Sequence, residues 1–190
     1  MKILSIDIDY AYSPSIAQYD DFVEGSRISY QDQQKIFELN NLPGPEANLD
    51  KIALLKEVVR QKTKSTTPTV ICDRHDHILD FLPDDRLFEI YNFDHHHDIY
   101  YPGWHDLYKL DEGNWVYHCS QKPIIKYVWI RNKDSEDLED PPALSFEYVE
   151  ILDPVIDDMP QFDLLFGCSS MHWTGKTGRR HLFEVLGANS

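Results

Sequence analysis

Five consecutive residues, Asp94-His95-His96-His97-Asp98, set three imidazoles between two carboxylates. Charges this close repel one another and resist desolvation, so the run is costly to fold unless something binds it. A divalent cation removes that cost. In an extended or gently turning backbone alternate side chains share a face, which turns Asp94, His96 and Asp98 one way and His95 and His97 the other. The first three form an Asp-x-His-x-Asp ligand set, and the other two are left for packing or support. Mixed imidazole and carboxylate ligation suits Mn²⁺, Fe²⁺ or Zn²⁺ better than Ca²⁺ or Mg²⁺, and the lack of Cys in the run argues against structural zinc. The competing reading is a solvated acidic loop rich in His. Three adjacent His at the end of a strand, where open α/β sheets build their sites, favour the metal.

Two other stretches have similar chemistry. Lys2 to Ile8 alternates as a buried strand and emerges into Asp7-Ile8-Asp9-Tyr10, with the two acids on one face. Such a pair either repels or shares a cation, and a strand ending in polar residues is a common alternative. Thr69-Val70-Ile71-Cys72 is a short apolar strand running into Asp73-Arg74-His75-Asp76-His77. Either His75 or His77, or both, is a ligand candidate.

The elements that must position these groups follow from periodicity and punctuation. Further strands are expected over Arg86 to Phe93, Ile124 to Ile130, Leu144 to Ile151 and Phe162 to Cys168. Asn48 caps a helix whose stripe of Leu49, Ile52, Leu55 and Val59 is core, running to about Lys62. Shorter helices are expected around Gln31 to Asn40, Ile78 to Leu82 and Glu112 to His118, with a last one over Arg179 to Leu186 ended by Gly187. Residues 12–30 and the aromatic run Ile99 to His105 read as loops, the latter able to wall a pocket. Strands interleaved with helices imply an α/β fold, a three-layer sandwich around a mainly parallel sheet. In a parallel sheet the strands ending near Asp7, His75 and Asp94 all finish on one edge. That convergence is stronger than any single motif.

Composition bounds the rest. A chain of 190 residues is read as one domain, 1–190, with a core that needs no staples. The net charge of −15 speaks against nucleic acid and anionic membranes as partners and favours cations or a basic substrate. Cys72, Cys119 and Cys168 are scattered, with no Cys-x-x-Cys pair, so no disulfide framework is expected. An acid arrives at Asp7, too early for a secretory signal, and no apolar run approaches the roughly 20 residues of a membrane span. The expectation is a cytoplasmic protein.

Taken together, the motifs resemble the arginase and deacetylase superfamily. Asp94 to Asp98 is similar to its Asp-x-His-x-Asp motif, Asp7-Ile8-Asp9 to its Asp-x-Asp motif, and His75 to its isolated His at another strand end. With Gly113-Asn114-Trp115 and Phe166-Gly167-Cys168-Ser169-Ser170, the resemblance narrows to a small-sized branch that includes peptide arginases. Those enzymes convert arginine side chains of ribosomal precursor peptides to ornithine. Here the Asp-x-Asp element precedes the Asp-x-His-x-Asp element, the reverse of most of the superfamily.

The resemblance implies a reduced arginase-like fold and two Mn²⁺ ions. One ion would be held by His75, Asp94, Asp98 and Asp7, the other by Asp94, His96, Asp7 and Asp9, with Asp94 and Asp7 bridging. The implied reaction is hydrolysis of a guanidinium to an amine and urea, on a peptide, free arginine or agmatine. The leaving amine needs a proton, for which His118 is the candidate acid or shuttle, beside an ordinary helix histidine as the alternative. Glu112, Asp76 and Glu147 are candidates to cradle the guanidinium. Three other readings compete: a manganese phosphoesterase of the Asp-His-His type, a zinc deacetylase with a catalytic Tyr, and a metal- or peptide-binding module without turnover.

Overall fold

Six short runs rich in Ile, Val, Leu and aromatic residues form one parallel sheet in the computed structural model, which describes residues 1–12, 46–101, 107–135, 137–138 and 141–188. The strands are β1 (Lys2–Asp7), β2 (Thr69–Cys72), β3 (Phe88–Phe93), β4 (Ile124–Ile130), β5 (Glu147–Ile151) and β6 (Leu164–Cys168). They lie in the order β2-β6-β1-β3-β4-β5, every pairing parallel. The expected α/β class is what the chain adopts. The strand expected from Leu144 begins only at Glu147, where pairing with Lys126 of β4 starts. Leu144 and Phe146 still pack on the core from outside the ladder.

A period of two along each strand divides the interior into two cores. Leu4 and Ile6 of β1 face one core with Val128 and Ile130 of β4, covered by Ile52, Leu55, Val58 and Val59 of α1 (Leu49–Lys62) and by Leu182 and Val185 of α3 (Met171–Leu186). Ile3 faces the other core with Phe166, Tyr127 and Trp129, covered by Trp115 and Val116 of α2 (Trp115–His118) and by Ile78 from a 3-10 segment, His75–Phe81. Asn48 caps α1 as expected, its Oδ1 accepting from the amides of Asp50 (3.0 Å) and Lys51 (3.2 Å). Gly167 lets α3 approach the sheet. A Cβ there would lie 2.8 Å from Leu186 Cδ1 and 3.0 Å from Leu182 Cδ1.

Two helices depart from expectation. α3 starts at Met171, eight residues ahead of the expected Arg179, and is broken at Gly175, whose φ of 62° and ψ of −163° are not helical. Gly175, Gly178 and two threonines hide this first portion from propensity reasoning, because all are weak helix formers. The segment after His75 is a 3-10 helix that ends at Phe81, ahead of Pro83. The helix expected over Gln31 to Asn40 and most of the loop of residues 12–30 lie outside the described residues.

After β1 the chain crosses to the β2 edge, β3 to β5 then build the opposite side of the sheet, and β6 returns to fill the place between β2 and β1. The reversal falls at β1, flanked by β6 and β3. A crevice opens at such a switch point, beyond the carboxyl ends of the strands, and ligands bind there in open α/β sheets. Among the described residues no helix is long and apolar enough to cross a membrane.

Candidate metal centre

Strands β1, β2 and β3 each run out into a turn that bends a carboxylate or imidazole back over the sheet edge. Asp7 ends β1 and caps a 3-10 turn, Ile8–Ala11, its Oδ1 accepting from the Asp9 amide at 3.1 Å. Asp9 therefore reaches the site from a turn and not from continued strand. β3 stops at Phe93; Asp94 Oδ1 then accepts the His96 amide at 2.9 Å, and Asp98 adopts a left-handed φ of 53°. Strand alternation gives the right grouping of Asp94, His96 and Asp98, but turns achieve it. His75 opens the 3-10 segment beyond β2.

The six side chains named by the sequence, Asp7, Asp9, His75, Asp94, His96 and Asp98, meet in two groups that share Asp94. In the first, His75 Nδ1 lies 3.0 Å from Asp94 Oδ2 and 3.2 Å from both Asp7 Oδ2 and Asp98 Oδ2. None of these is aligned as a hydrogen bond, and Nδ1 is a buried polar atom without a partner. A nitrogen surrounded by three carboxylate oxygens, yet pointing at none of them, is the arrangement expected of ligands gathered about a cation. In the second group Asp9, Asp94 and His96 bring their ligand atoms within 4.8 Å of one another, with His96 Nδ1 at 3.0 Å from Asp9 Oδ2.

Surrounding groups fix the orientation of these side chains. Ser5 Oγ sits 2.8 Å from His75 Nε2, so an Nε2–H donated to Ser5 leaves the Nδ1 lone pair facing the carboxylates. Trp115 Nε1 donates to Asp98 Oδ2 at 2.7 Å, Asn92 Nδ2 to Asp94 Oδ2 at 2.9 Å, and the Ser170 hydroxyl to Asp7 Oδ2. The rings of Trp115 and Phe166 flank His75 at centroid distances of 4.7 and 5.8 Å. Trp173 of α3 and Tyr101 stand 5.1 and 6.4 Å from the His96 ring, forming an aromatic rim. His96 is the most open of the six side chains, 16% exposed where the other five are buried, and marks the mouth.

Without cations this cluster must hold protons. Burial, with Asp7 and Asp94 nearby, pushes Asp9 up to about 8, and burial with Asp98 and Asp7 pushes Asp94 to about 7. Burial opposes the charged imidazole, but the three carboxylates around His75 and the Asp9 beside His96 outweigh it and raise both histidines well above the usual range. Burial likewise works to raise Asp7, yet His75, Ser170 and the Asp9 amide hold it below its ordinary value. Neighbouring acids thus share protons where bound cations would otherwise compensate them.

The remaining candidates separate cleanly. Of the pair near β2, His75 joins the cluster and His77 is exposed. His95 turns away, and burial together with His96 lowers it to about 3, so it is neutral beside Asn132. His97 stacks on Tyr101 at 4.2 Å, its Nδ1 accepting the Ile99 amide. His118 ends α2 with its Nε2 buried and without a partner, and among the described contacts none links it to the cluster. Glu147 sits at the opposite end of the sheet, where β5 starts, paired with Lys126 at 3.0 Å. It cannot cradle a substrate at this edge. Asp76, next to His75 in the chain, and Glu112 are both engaged by Arg74. Tyr101 is as far as the aromatic run is described until residue 107.

Sequence reasoning missed Cys168, whose Sγ groups with Asp7 and His75. Burial, reinforced by Asp7, holds its thiol well above the usual range, so it stays neutral. The signal was its register: Cys168 pairs with Asp7 across β1 and β6. All three cysteines are free thiols. No family model, no curated protein and no solved structure matches the chain.

Proposed function

We propose that the chain is a metal-dependent hydrolase of guanidinium groups, with an arginase-like centre that takes arginine side chains of a peptide to ornithine and urea. The observation that carries this reading is the convergence of three strand ends, those of β1, β2 and β3, on two ligand groups sharing Asp94, with a His75 Nδ1 that makes no hydrogen bond among three carboxylates. The donor set of carboxylate oxygens and imidazole nitrogens, with no ionised thiol, fits two Mn²⁺ ions. His75, Asp7, Asp94 and Asp98 would hold one, and Asp9, His96, Asp94 and Asp7 the other. A pair of such cations, when bound, lowers the pKa of water from about 15.7 towards about 7 and polarises the carbon under attack.

The chain's own residues supply the remainder. Ser5, Asn92, Trp115 and Ser170 lock the ligand rotamers, so the site reorganises little on binding. Trp115 and Phe166 exclude water from the His75 side. Trp173 and Tyr101 flank the mouth at His96, offering faces on which a guanidinium or its aliphatic stem stacks. A phosphoester is a poorer fit, because Arg74, the cation next in sequence to His75, is already engaged by Asp76 and Glu112.

The deciding experiment incubates the purified chain with Mn²⁺ and an arginine-containing peptide. Hydrolysis removes about 42 Da per arginine, as CN₂H₂, and releases urea, both read directly by mass spectrometry and colorimetry. Bound Mn²⁺ with no such loss on peptide, free arginine or agmatine would leave a metal-binding module, and cleavage of a chromogenic phosphodiester instead would replace this reading.

A further inference from the structure

Asp7 and His75 face a thiol as well as the carboxylates. Side chains at paired positions of adjacent parallel strands share a face of the sheet, and β1 and β6 pair Ser5 with Phe166 and Asp7 with Cys168. The His75 ring lies over the first of these pairs. Ser5 Oγ is 2.8 Å from its Nε2, and Phe166 stacks on it at 5.8 Å with 5° between the planes. With Nε2 taken by Ser5, Nδ1 is the nitrogen left to donate. It lies toward the second pair, 3.2 Å from Asp7 Oδ2, and the ligand atoms of Asp7, His75 and Cys168 fall within 4.8 Å of one another.

We propose that Asp7, His75 and Cys168 form a site for a thiophilic divalent cation of the Zn²⁺ class, an occupant distinct from the Mn²⁺ pair and exclusive of it at His75. The thiol does not stand alone. His75 Nδ1, on a ring only 2% exposed, makes no hydrogen bond and opens toward the same spot. The spacing also fits. Two atoms bound to one zinc at about 2.0–2.1 Å in a tetrahedron stand about 3.3 Å apart, and Nδ1 and Asp7 Oδ2 are already at 3.2 Å. Thiolate sulfur, imidazole nitrogen and carboxylate oxygen are all zinc donors, and Asp94 Oδ2, 3.0 Å from Nδ1, is at hand for the fourth position.

Cys168 Sγ sits 3.3 Å from Ser170 Oγ, whose own hydrogen points at Asp7, so the thiol is the donor in that contact. A soft cation takes the sulfur as thiolate. The S–H bond breaks as the sulfur–metal bond forms, and the proton leaves to solvent, with no oxidant or reductant involved. Mn²⁺ is harder, and the weakest binder in the first-row divalent order, so it gains little from sulfur and leaves the thiol protonated. One side chain thus tells the two cations apart. Nδ1 has a single lone pair, so Zn²⁺ bound there strips the first Mn²⁺ position of its imidazole.

Every readout is taken on resting protein and needs no turnover. EDTA-stripped parent chain loaded with one equivalent of Zn²⁺ is expected to show, by X-ray absorption at the zinc edge, one sulfur at about 2.3 Å beside nitrogen and oxygen at about 2.0–2.2 Å. A shell of nitrogen and oxygen alone would overturn the site, and this measurement decides by itself where a variant fails to fold. With Co²⁺ in place of Zn²⁺ the parent should show a thiolate-to-cobalt charge-transfer band in the near ultraviolet, absent in Cys168→Ser and kept in Cys72→Ser. Cys72 pairs with Cys168 across β2 and β6 but joins no ligand group among the described residues. Loss of a supporting partner costs roughly 10- to 100-fold in metal affinity, so Cys168→Ser, which removes a ligand, should weaken Zn²⁺ binding by about 100-fold or more and Mn²⁺ binding by about tenfold or less. A band that survives Cys168→Ser or vanishes in Cys72→Ser, a smaller loss of Zn²⁺ affinity, or equal losses for the two cations would each refute the assignment. A chain that hydrolyses arginine peptides but shows no sulfur about zinc loses this site alone, whereas a chain inert to guanidines that shows the sulfur keeps it.

Discussion

Metal loading should expel protons in a number set by the cluster's electrostatics. At pH 6 the metal-free site holds a proton on Asp9, on Asp94 and on each of His75 and His96, because all four are raised, two of them to about 8 and about 7. Asp7, held low, holds none. Ligation requires the carboxylates ionised and the imidazoles neutral, so filling both positions should release on the order of four protons at pH 6 and three at pH 7, where Asp94 is half titrated. The product of the two association constants then rises by roughly three decades per pH unit near pH 7. Calorimetric titration of EDTA-stripped protein with MnCl₂, in two buffers of different ionisation heat, counts the protons directly. Release of less than one proton at pH 7, or an affinity flat between pH 6 and 8, would refute the account of these six residues as one coupled cation site.

The same shifts give the metal-free protein an unusual pH profile. Raised carboxylates bind more protons folded than unfolded, so Asp9 and Asp94 cost stability as pH climbs from about 4 to about 8, and the raised histidines add stability that is lost as pH rises through their folded values. Asp7 acts oppositely, but only as pH falls below its ordinary 3.8. The melting temperature in EDTA should therefore drop between pH 5 and 8.5, with Mn²⁺ reversing the trend; a flat or rising curve in EDTA contradicts it. His75→Ala should abolish Mn²⁺ retention while the exposed His77→Ala keeps it, measured by metal content after gel filtration. Trp115→Phe, which keeps the ring packing but deletes the bond to Asp98, should weaken Mn²⁺ binding about 10- to 100-fold, and unchanged affinity would show that this bond does not orient the ligand.

What the sequence disclosed, and what it hid, follow from the range of the interactions involved. β2 and β4 are found at their expected limits, and α1 behind its Asn48 cap, because each is coded by local apolar periodicity and turn chemistry. The six clustered side chains were legible for a different reason. A parallel sheet puts every strand's carboxyl end on one edge, so acids and imidazoles that follow apolar runs must converge there whatever the turns between them do. Cys168 was not legible as a neighbour of His75. Its place depends on the register of β6 against β1, which leaves no periodic trace.

The choice between His75 and His77 shows where the boundary lies. Both follow the same strand and differ by two residues, so extended-chain reasoning puts them on one face and treats them as equal. The chain turns instead into a 3-10 helix at His75, rotating His77 out to solvent, while Ser5 on β1 receives the His75 ring. Ser5 is the one polar residue that β1 carries between Leu4 and Ile6, and it points into the core opposite to theirs. A lone hydroxyl buried in the middle of an apolar strand must find a partner, and the cheapest one within reach is an imidazole N–H. Ser5→Ala should accordingly loosen His75 and lower Mn²⁺ affinity without moving the sheet's chemical-denaturation midpoint far. A variant that binds Mn²⁺ as tightly as the parent would show that the carboxylates alone orient the ring.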